Sequence, residues 1–203
     1  MATRRHQRQP RDRSVECELK FRVSGPADHT RLRSALRKLG YRLDGTYDEE
    51  NYRFVGPGKT TRRTTLRLRV LDGGPRGVLT AKGEAHFVAG VKVREETEVD
   101  VSDAHASLDL LAQLGFQVLV IYKKHRSIWK EGAVSVTLDS LDFGHFVEVE
   151  GPLETIPGVA RSLGLNPANA VRDSYSIMAR KHMAAAQKLA KKAMQASPAA
   201  APA

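Results

Sequence analysis

The stretch SVECELKFRV, residues 14–23, carries a charge at every second position. In an extended strand Glu16, Glu18, Lys20 and Arg22 would share one face, because successive side chains point to opposite faces. The residues between them are mostly apolar and form the other face. Two carboxylates followed by two cations could bind a divalent metal beside an anion, or could simply face solvent. One strand alone does not decide between these interpretations.

The same alternation recurs in most of the other predicted strands. A face exposed to water would carry Ser, Thr and Gln among scattered charges, whereas here Arg, Lys, Glu and Asp are concentrated. Closing these faces into one lumen would bring like charges together at a high desolvation cost, unless a metal and a polyphosphate bind there. The residues that repeat the pattern are Arg67, Arg69, Lys82, Lys92, Arg94, Glu96, Glu98, Lys124, Arg126, Asp139, Glu148 and Glu150.

The elements that must position these charges are short strands joined by tight turns. Hydrophobic periodicity and Gly/Pro breaks predict strands near 15–23, 47–54, 65–71, 77–82, 91–100, 117–128, 133–139 and 145–151. The same signals predict helices near 27–39, 103–114, 153–164 and 173–190. Most strands follow one another directly, which favours an antiparallel meander that closes into a barrel. The expected fold is α+β, with one domain over residues 14–180.

Both ends of the chain are strongly basic. Residues 1–13 carry five arginines and one aspartate, and residues 180–203 carry five cations and no acid, so the ends hold +9 of the net charge of +10. We expect a disordered basic arm over 1–13 and, over 181–203, a basic helical segment followed by a disordered Ala/Pro-rich tail. Weak binding to polyanions is therefore expected at the ends and not at the nearly neutral body.

Other chemical sites are disfavoured by the sequence. The single cysteine, Cys17, falls on the apolar face and excludes an internal disulfide, and no apolar run is long enough to span a bilayer. The seven histidines lack metal-binding spacing, and GPGK at 56–59 lacks the full P-loop pattern. Trp129, Tyr122 and Phe146 are too scattered for a base-stacking platform, so core packing is expected for them. A soluble protein located in the cytoplasm is the expectation.

The segment VECELKF resembles the Glu-x-Glu-x-Lys signature of the CYTH superfamily, the triphosphate tunnel metalloenzymes. The resemblance continues in order through TLRLRV, LTAKG, VKVREETEVDV, LGFQVLVIYKKHRSIW, VSVTLDSLDFGHFVEVEG and DSYSIM, and covers about residues 14–180. It implies an eight-stranded antiparallel β-barrel, the triphosphate tunnel, with helices packed outside. It also implies Mg²⁺ or Mn²⁺ as cofactor, and family members are often homodimers.

The resemblance also implies roles for individual residues. Lys124 is preferred over Lys123 as the inward lysine because it keeps phase with Arg126. Lys20 and Arg126 would be catalytic. The implied metal ligands are Glu16, Glu18, Asp139, Glu148 and Glu150, with Glu96 and Glu98 as a further acidic pair, and the implied phosphate-binding residues are Lys20, Arg67, Arg69, Lys82, Lys124 and Arg126.

Among the activities of the superfamily, the motifs favour the class IV adenylate cyclase-like subgroup, which converts ATP to cyclic AMP and pyrophosphate. One alternative is a triphosphatase that hydrolyses the terminal phosphate of tripolyphosphate or of a nucleoside or thiamine triphosphate. Another is a module that binds polyphosphate without turnover. A pure anion binder would have no use for the carboxylates, which favours an enzyme.

Overall fold

The alternating segments form long antiparallel strands in a computed structural model, which describes residues 14–57 and 64–196 and, within them, the side chains of 15–57 and 64–189. The predicted arm (1–13), the last residues of the predicted tail (197–203) and half of the GPGK turn lie outside the described residues. The described strands are β1 (Ser14–Val23), β2 (Arg42–Val55), β3 (Thr65–Leu71), β4 (Gly77–Lys82), β5 (His86–Val88), β6 (Val91–Val101), β7 (Gln117–Glu131), β8 (Val134–Leu141) and β9 (Gly144–Glu150). The described α-helices are α1 (Pro26–Lys38), α2 (Ala104–Gln113), α3 (Ile156–Ser162) and α4 (Tyr175–Ala196), with a 3₁₀ turn at Pro167–Asn169.

Eight of these strands close into a barrel in the order β1-β9-β8-β7-β2-β3-β4-β6, and β6 pairs back onto β1. The closing pair sets Glu16 opposite Arg94 and Glu18 opposite Lys92. The predicted eight-stranded antiparallel barrel is thereby confirmed. β5 was not predicted, because three residues are too few to show a period. It forms a hairpin with β6 through Ala89 and Gly90, whose positive φ angles of 49° and 86° suit a two-residue turn.

The apolar faces of the strands point outward and are covered by helices. Leu19 on β1 and Val149 on β9 pack with Leu36 of α1 and Ile156 of α3 in the main buried cluster. Each such side chain contributes about 1.5–3 kcal/mol by leaving water. A second cluster joins β3 to α2. Because the apolar faces serve this outer core, the charged faces are left to the inside of the barrel.

Helix α4 begins at the barrel and continues away from it. Its first residue, Tyr175, is buried against Phe146 of β9, with ring centroids 5.2 Å apart. From Arg180 to Leu189 every side chain is exposed. The predicted domain boundary at residue 180 falls inside this continuous helix, which also runs further than the predicted end at 190. α3 is shorter than the predicted helix, because residues 153–155 form a turn before it.

Strands β3 and β4 approach each other closely at Gly77, the first residue of β4. A Cβ on Gly77 would lie 2.7 Å from the carbonyl oxygen of Arg69 on β3. We predict that Gly77→Ala lowers the free energy of unfolding in urea by about 1–3 kcal/mol, because backbone must shift to admit the methyl group. Gly158→Ala in α3 is the control, since no atom lies within 4 Å of its Cβ position. Equal stability of the two variants would contradict the close approach of β3 and β4.

Candidate active site

A cavity of about 340 Å³ inside the barrel collects the charged faces of the strands. Among the described residues that line it, nine are cations and six are carboxylates, so the interior has an excess of positive charge. Such a site favours the binding of an anion that carries several negative charges. The cations are Lys20, Arg53, Arg67, Arg69, Lys82, Arg94, Lys124, Arg126 and Lys130, and the carboxylates are Glu16, Glu18, Glu96, Glu98, Glu148 and Glu150.

Three carboxylates meet on one wall of this cavity. Oxygens of Glu16, Glu18 and Glu150 all lie within 4.8 Å of one another. The alternation of β1 places the first two on one face, and the β1–β9 register sets Glu150 directly opposite Glu18. Lys82 donates to Glu16 at 2.7 Å and Lys92 donates to Glu18 at 2.7 Å. Among the described residues, no salt bridge reaches Glu150, so its charge lacks a direct counter-ion.

The pKa values of these carboxylates differ because their partners differ. Burial raises the pKa of Glu18, but Lys20 and Lys92 outweigh this effect and lower the pKa to about 2. Burial and the neighbouring carboxylates of Glu148 and Glu16 raise the pKa of Glu150 to about 7. Three hard oxygen donors, one of them short of positive charge, suit Mg²⁺ or Mn²⁺. The residues present therefore fit the implied metal.

The opposite charge is concentrated on β3 and β7. Arg67 and Arg69 project from β3, and their buried Nε atoms have no hydrogen-bond partner within the described part of the chain. Burial and the proximity of Arg67 lower the pKa of Arg69. Burial and the proximity of Arg126 lower the pKa of Lys124 to about 8. The lining of the cavity as a whole contains more cations than carboxylates, and phosphate oxygens could accept hydrogen bonds from these two Nε atoms.

Lys20 stands between the two walls. Its Nζ lies 3.0 Å from Glu148 and 3.5 Å from Glu18, and 4.4 Å from the centroid of the Tyr175 ring. Burial lowers the pKa of Lys20, but the two carboxylates outweigh burial and raise it. The ammonium group therefore keeps its proton at neutral pH. A charged donor is fixed at the boundary between the carboxylates and the phosphate-binding wall.

Arg126 is held by a network behind the cavity surface. It donates to both oxygens of Asp139, at 2.7 and 2.6 Å, and to Glu148. Asp139 also accepts a hydrogen bond of 2.8 Å from the hydroxyl of Tyr175. The structure thus places Asp139, which was predicted as a metal ligand, behind Arg126 and outside the lining of the cavity. Its oxygens are engaged in orienting Arg126.

The other predicted acidic residues lie near the three-carboxylate cluster without joining it. Glu96 pairs with Lys82 at 3.0 Å, and Glu98 accepts from Thr80 at 2.7 Å and lies 3.6 Å from Arg67. Glu148 is taken up by Lys20 and Arg126. Within the described residues, only Glu16, Glu18 and Glu150 form a metal-type group.

The predicted phosphate-binding residues all line the cavity. The β7 register places Lys124 inside, with its side chain 1% exposed and 3.2 Å from Glu49. Lys123 points outward, with 74% of its side chain exposed. The choice of Lys124 over Lys123 thus agrees with the direction in which each side chain points.

Sequence reasoning missed the interior residues of β2. Glu49 contacts Lys124 at 3.2 Å and Arg69 at 3.5 Å, and Arg53 lines the cavity. Burial raises the pKa of Glu49, but Lys124 and Arg126 lower it to about 2. An alternation is present in YDEENYRF, but the uncharged Asn51 between these residues obscures it. Arg94, which donates to Glu16 at 3.0 Å, was recognised as charged but given no role.

Comparisons with known proteins agree with this fold. The model of the CYTH domain matches residues 14–175. A candidate adenylate cyclase of Methanocaldococcus jannaschii is 26% identical over 172 residues, which cover 79% of this chain and 96% of that protein. The structure of the protein PH1012 of Pyrococcus horikoshii is 27% identical, with a TM-score of 0.68 over 80% of this chain and 98% of that one.

A plant protein shares the fold at lower identity. It comes from Hippeastrum and is described as a candidate adenylyl cyclase with a dominant triphosphatase activity. It is 20% identical, with a TM-score of 0.65 over 82% of this chain and 96% of that one.

Separately, none of the described helices is both long and apolar enough to cross a membrane.

The buried charge of Lys124 makes a prediction about pH. Its pKa falls from an ordinary 10.5 to about 8 on folding. Between these values the unfolded chain holds the proton and the folded protein does not, so this lysine costs stability at pH 7 and ceases to do so as the pH rises to 10.5. We predict that the unaltered protein gains about 3 kcal/mol of unfolding free energy from this lysine as the pH rises from 8 to 10.5, and that Lys124→Met lacks this gain. Because the substitution also removes the cation that lies 3.2 Å from buried Glu49, the test is this pH dependence and not the stability at pH 7.

The difference should be seen in denaturant titrations of both proteins between pH 8 and 10.5. Lys123→Met, which removes an exposed charge on the same strand, should change stability by less than about 0.5 kcal/mol. A loss of stability in Lys124→Met that does not vary with pH would show that folding does not lower the pKa of Lys124.

The three-carboxylate cluster predicts metal binding without substrate. Glu150→Gln should weaken Mn²⁺ binding at least tenfold in a titration followed by electron paramagnetic resonance, because one charged donor is lost. Its thermal stability should hold or rise, since repulsion among the carboxylates is relieved. Glu50→Gln, outside the cavity, is the control and should bind Mn²⁺ as the unaltered protein does. Equal affinity in both variants would place the metal elsewhere.

Proposed function

Since this chain belongs to the CYTH domain family, we propose that it is a metal-dependent phosphoryl-transfer enzyme that binds a triphosphate inside its barrel. One observation carries the proposal. A three-carboxylate cluster that fits a divalent metal lies in the same cavity as Arg67 and Arg69, whose Nε atoms have no hydrogen-bond partner among the described residues. A metal–triphosphate supplies the cation that the cluster lacks and the anion that the wall lacks.

Each wall would perform a different part of the reaction. Glu16, Glu18 and Glu150 would hold Mg²⁺ or Mn²⁺, which when bound neutralises phosphate charge and polarises phosphate oxygens. The wall of Arg67 and Arg69, with Lys82 and Lys124, would fix the chain of phosphates in one orientation. Such positioning and charge neutralisation account for most of the catalysis of phosphoryl transfer.

Lys20 and Arg126 are the proposed catalytic residues. Lys20 keeps its proton and lies beside the carboxylates, so it can neutralise charge that develops on the departing phosphate. Arg126 offers its guanidinium to the cavity while Asp139 and Glu148 hold it in place. Asp139, in turn fixed by Tyr175, is a positioning residue in this proposal.

The specific reaction that we propose is that of a class IV adenylate cyclase. The ribose 3′-hydroxyl of ATP attacks the α-phosphorus, the bond to the bridging oxygen breaks, and pyrophosphate leaves with the formation of cyclic AMP. The name of the M. jannaschii relative supports this reaction. A triphosphate as the class of substrate is supported by the number of cations that line the cavity, among them Arg67, Arg69, Lys82, Lys124 and Arg126.

Hydrolysis of a terminal phosphate is the second candidate. Its support is the lining of the cavity, in which Ile128 is the one aliphatic side chain among the described residues. Such a lining would accept tripolyphosphate as readily as the phosphates of a nucleotide. The Hippeastrum protein indicates that this fold is compatible with triphosphatase activity. A module that only binds polyphosphate is disfavoured, because it would gain nothing from three carboxylates facing its ligand.

A substrate panel separates these functions. ATP, GTP, tripolyphosphate and thiamine triphosphate would each be incubated with Mg²⁺ or Mn²⁺ and the products resolved by chromatography. Cyclic AMP with pyrophosphate supports the cyclase, and inorganic phosphate supports the triphosphatase. Absence of turnover with every substrate and both metals would contradict an enzyme.

The basic wall predicts the effect of removing one arginine. Arg69→Ala should reduce kcat/KM for the triphosphate at least tenfold, because a charge-assisted contact is worth about 1.5–3 kcal/mol. Arg69→Lys should recover part of this loss, since lysine lacks the planar fork. Lys123→Ala, whose side chain is exposed, is the control and should leave the kinetics unchanged. Full activity of Arg69→Ala would mean that the triphosphate does not bind on this wall.

Three further features stay proposals. We place the protein in the cytoplasm, and we propose a homodimer on the strength of the resemblance. The exposed cations of α4, including Arg180 and Lys188, would give weak attraction to polyanions that salt screens.

A further inference from the structure

A groove of about 420 Å³ continues the charged cavity at one end of the barrel. Arg53, Thr65, Arg94 and Ser174 line both spaces, so the groove and the cavity communicate. The groove is also bordered by the β5–β6 hairpin and by the segment that precedes α4. We call it the basic mouth, because its described lining contains four cations, Arg53, Lys92, Arg94 and Arg172, and two carboxylates, Glu84 and Asp173.

An aromatic ring is presented at this mouth. Phe87 lies on β5, is 39% exposed and belongs to none of the buried clusters of the described residues. It pairs directly with Lys92 across the hairpin, and residues paired in this way share one face of a sheet. The guanidinium of Arg172 lies 4.8 Å from the centroid of the Phe87 ring. Phe87 and Arg172 thus border the groove without supporting the core.

Inside the cavity there is no comparable place for a flat organic ring. The two aromatic residues among its described lining, Tyr122 and Tyr175, are buried in the cluster that attaches α4 to the barrel. The remaining lining is charged or polar except for Ile128. A ring attached to the triphosphate would therefore lie outside the cavity, at one of its mouths.

The other mouth suits a ring poorly. A second groove meets the cavity at Glu16, Glu96 and Glu150, and its described lining contains no aromatic residue. Stacking on an aromatic side chain beside an arginine is a common way in which proteins hold nucleobases. The basic mouth offers both groups and a compatible charge.

We propose that Phe87 and Arg172 form a stacking site for the planar ring of an organic triphosphate, such as a nucleobase. This inference rests on the proposed function and narrows its substrate to an organic triphosphate. The site also implies a direction for the substrate. Lys92, opposite Phe87, donates to Glu18, and Arg94 at the mouth donates to Glu16. A ring at this mouth therefore brings the first phosphate toward the carboxylate cluster, where attack on the α-phosphorus would occur.

The test compares ligands with and without a ring. ATP, thiamine triphosphate and tripolyphosphate would be titrated calorimetrically in metal-free buffer, which prevents metal-dependent turnover and leaves the arginine wall available. Phe87→Ala should weaken the binding of the preferred ring-bearing ligand about tenfold, which corresponds to about 1.4 kcal/mol, and that of tripolyphosphate less than twofold. Phe87→Trp should retain the affinity, and Arg172→Ala should show a smaller selective loss.

Val88→Ala is the matched control, since Val88 is 41% exposed on the same strand and points to the other face. It should bind all three ligands as the unaltered protein does. A larger loss for ATP would assign the site to a purine, and a larger loss for thiamine triphosphate would assign it to the rings of thiamine.

Unchanged binding in Phe87→Ala, or an equal loss for tripolyphosphate, would overturn the stacking site while leaving the proposed function in place. Failure of the unaltered protein to bind any of the three ligands, both without metal and with Mg²⁺, would instead overturn the proposed function. Melting curves of all variants would confirm that the hairpin change leaves the barrel folded, as the exposure of Phe87 predicts.

Discussion

Removal of charged side chains from water is the constraint on which the rest of this structure depends. A barrel whose interior is ionic must compensate desolvation, and ion pairs do so only in part. Here the compensation differs between the two walls. Most carboxylates find lysine or arginine partners, whereas Glu150 has a raised pKa and Lys124 a lowered one. A cation would stabilise the charged form of Glu150, and an anion would stabilise the charged form of Lys124.

The fold meets this constraint by directing the apolar faces of the strands outward and the charged faces into the barrel. The apolar faces of β1, β8 and β9 pack outward on α1 and α3, so the hydrophobic core lies between barrel and helices. Closure between β1 and β6 then brings residues far apart in sequence, such as Glu16 and Arg94, into contact. The rigidity of the outer core holds the interior charges in place against their mutual repulsion. A ligand that supplies the missing opposite charges therefore gains electrostatic binding energy in the interior.

Much of this could be predicted from the sequence, because the period of two assigns each charge to a face once a strand is recognised. The inward direction of Lys124 and the grouping of Glu16 with Glu18 follow from that period alone. The position of Asp139 behind Arg126 could not be predicted. The hydroxyl of Tyr175, 36 positions away in the sequence, donates a hydrogen bond to an oxygen of Asp139, and the period of two does not reveal this contact. Glu49 was missed because its strand carries uncharged Asn51 beside it, and Phe87 because a three-residue strand shows no period.

The most direct test of the account is to locate both ions at once. Crystals grown with Mn²⁺ and tripolyphosphate would be measured at the manganese absorption edge, so that anomalous scattering identifies the metal without reference to the protein. We predict a manganese peak among Glu16, Glu18 and Glu150, with phosphate oxygens within hydrogen-bond distance of Arg67 and Arg69. Manganese bound outside the barrel, or phosphates that leave Arg67 and Arg69 unpaired, would contradict it.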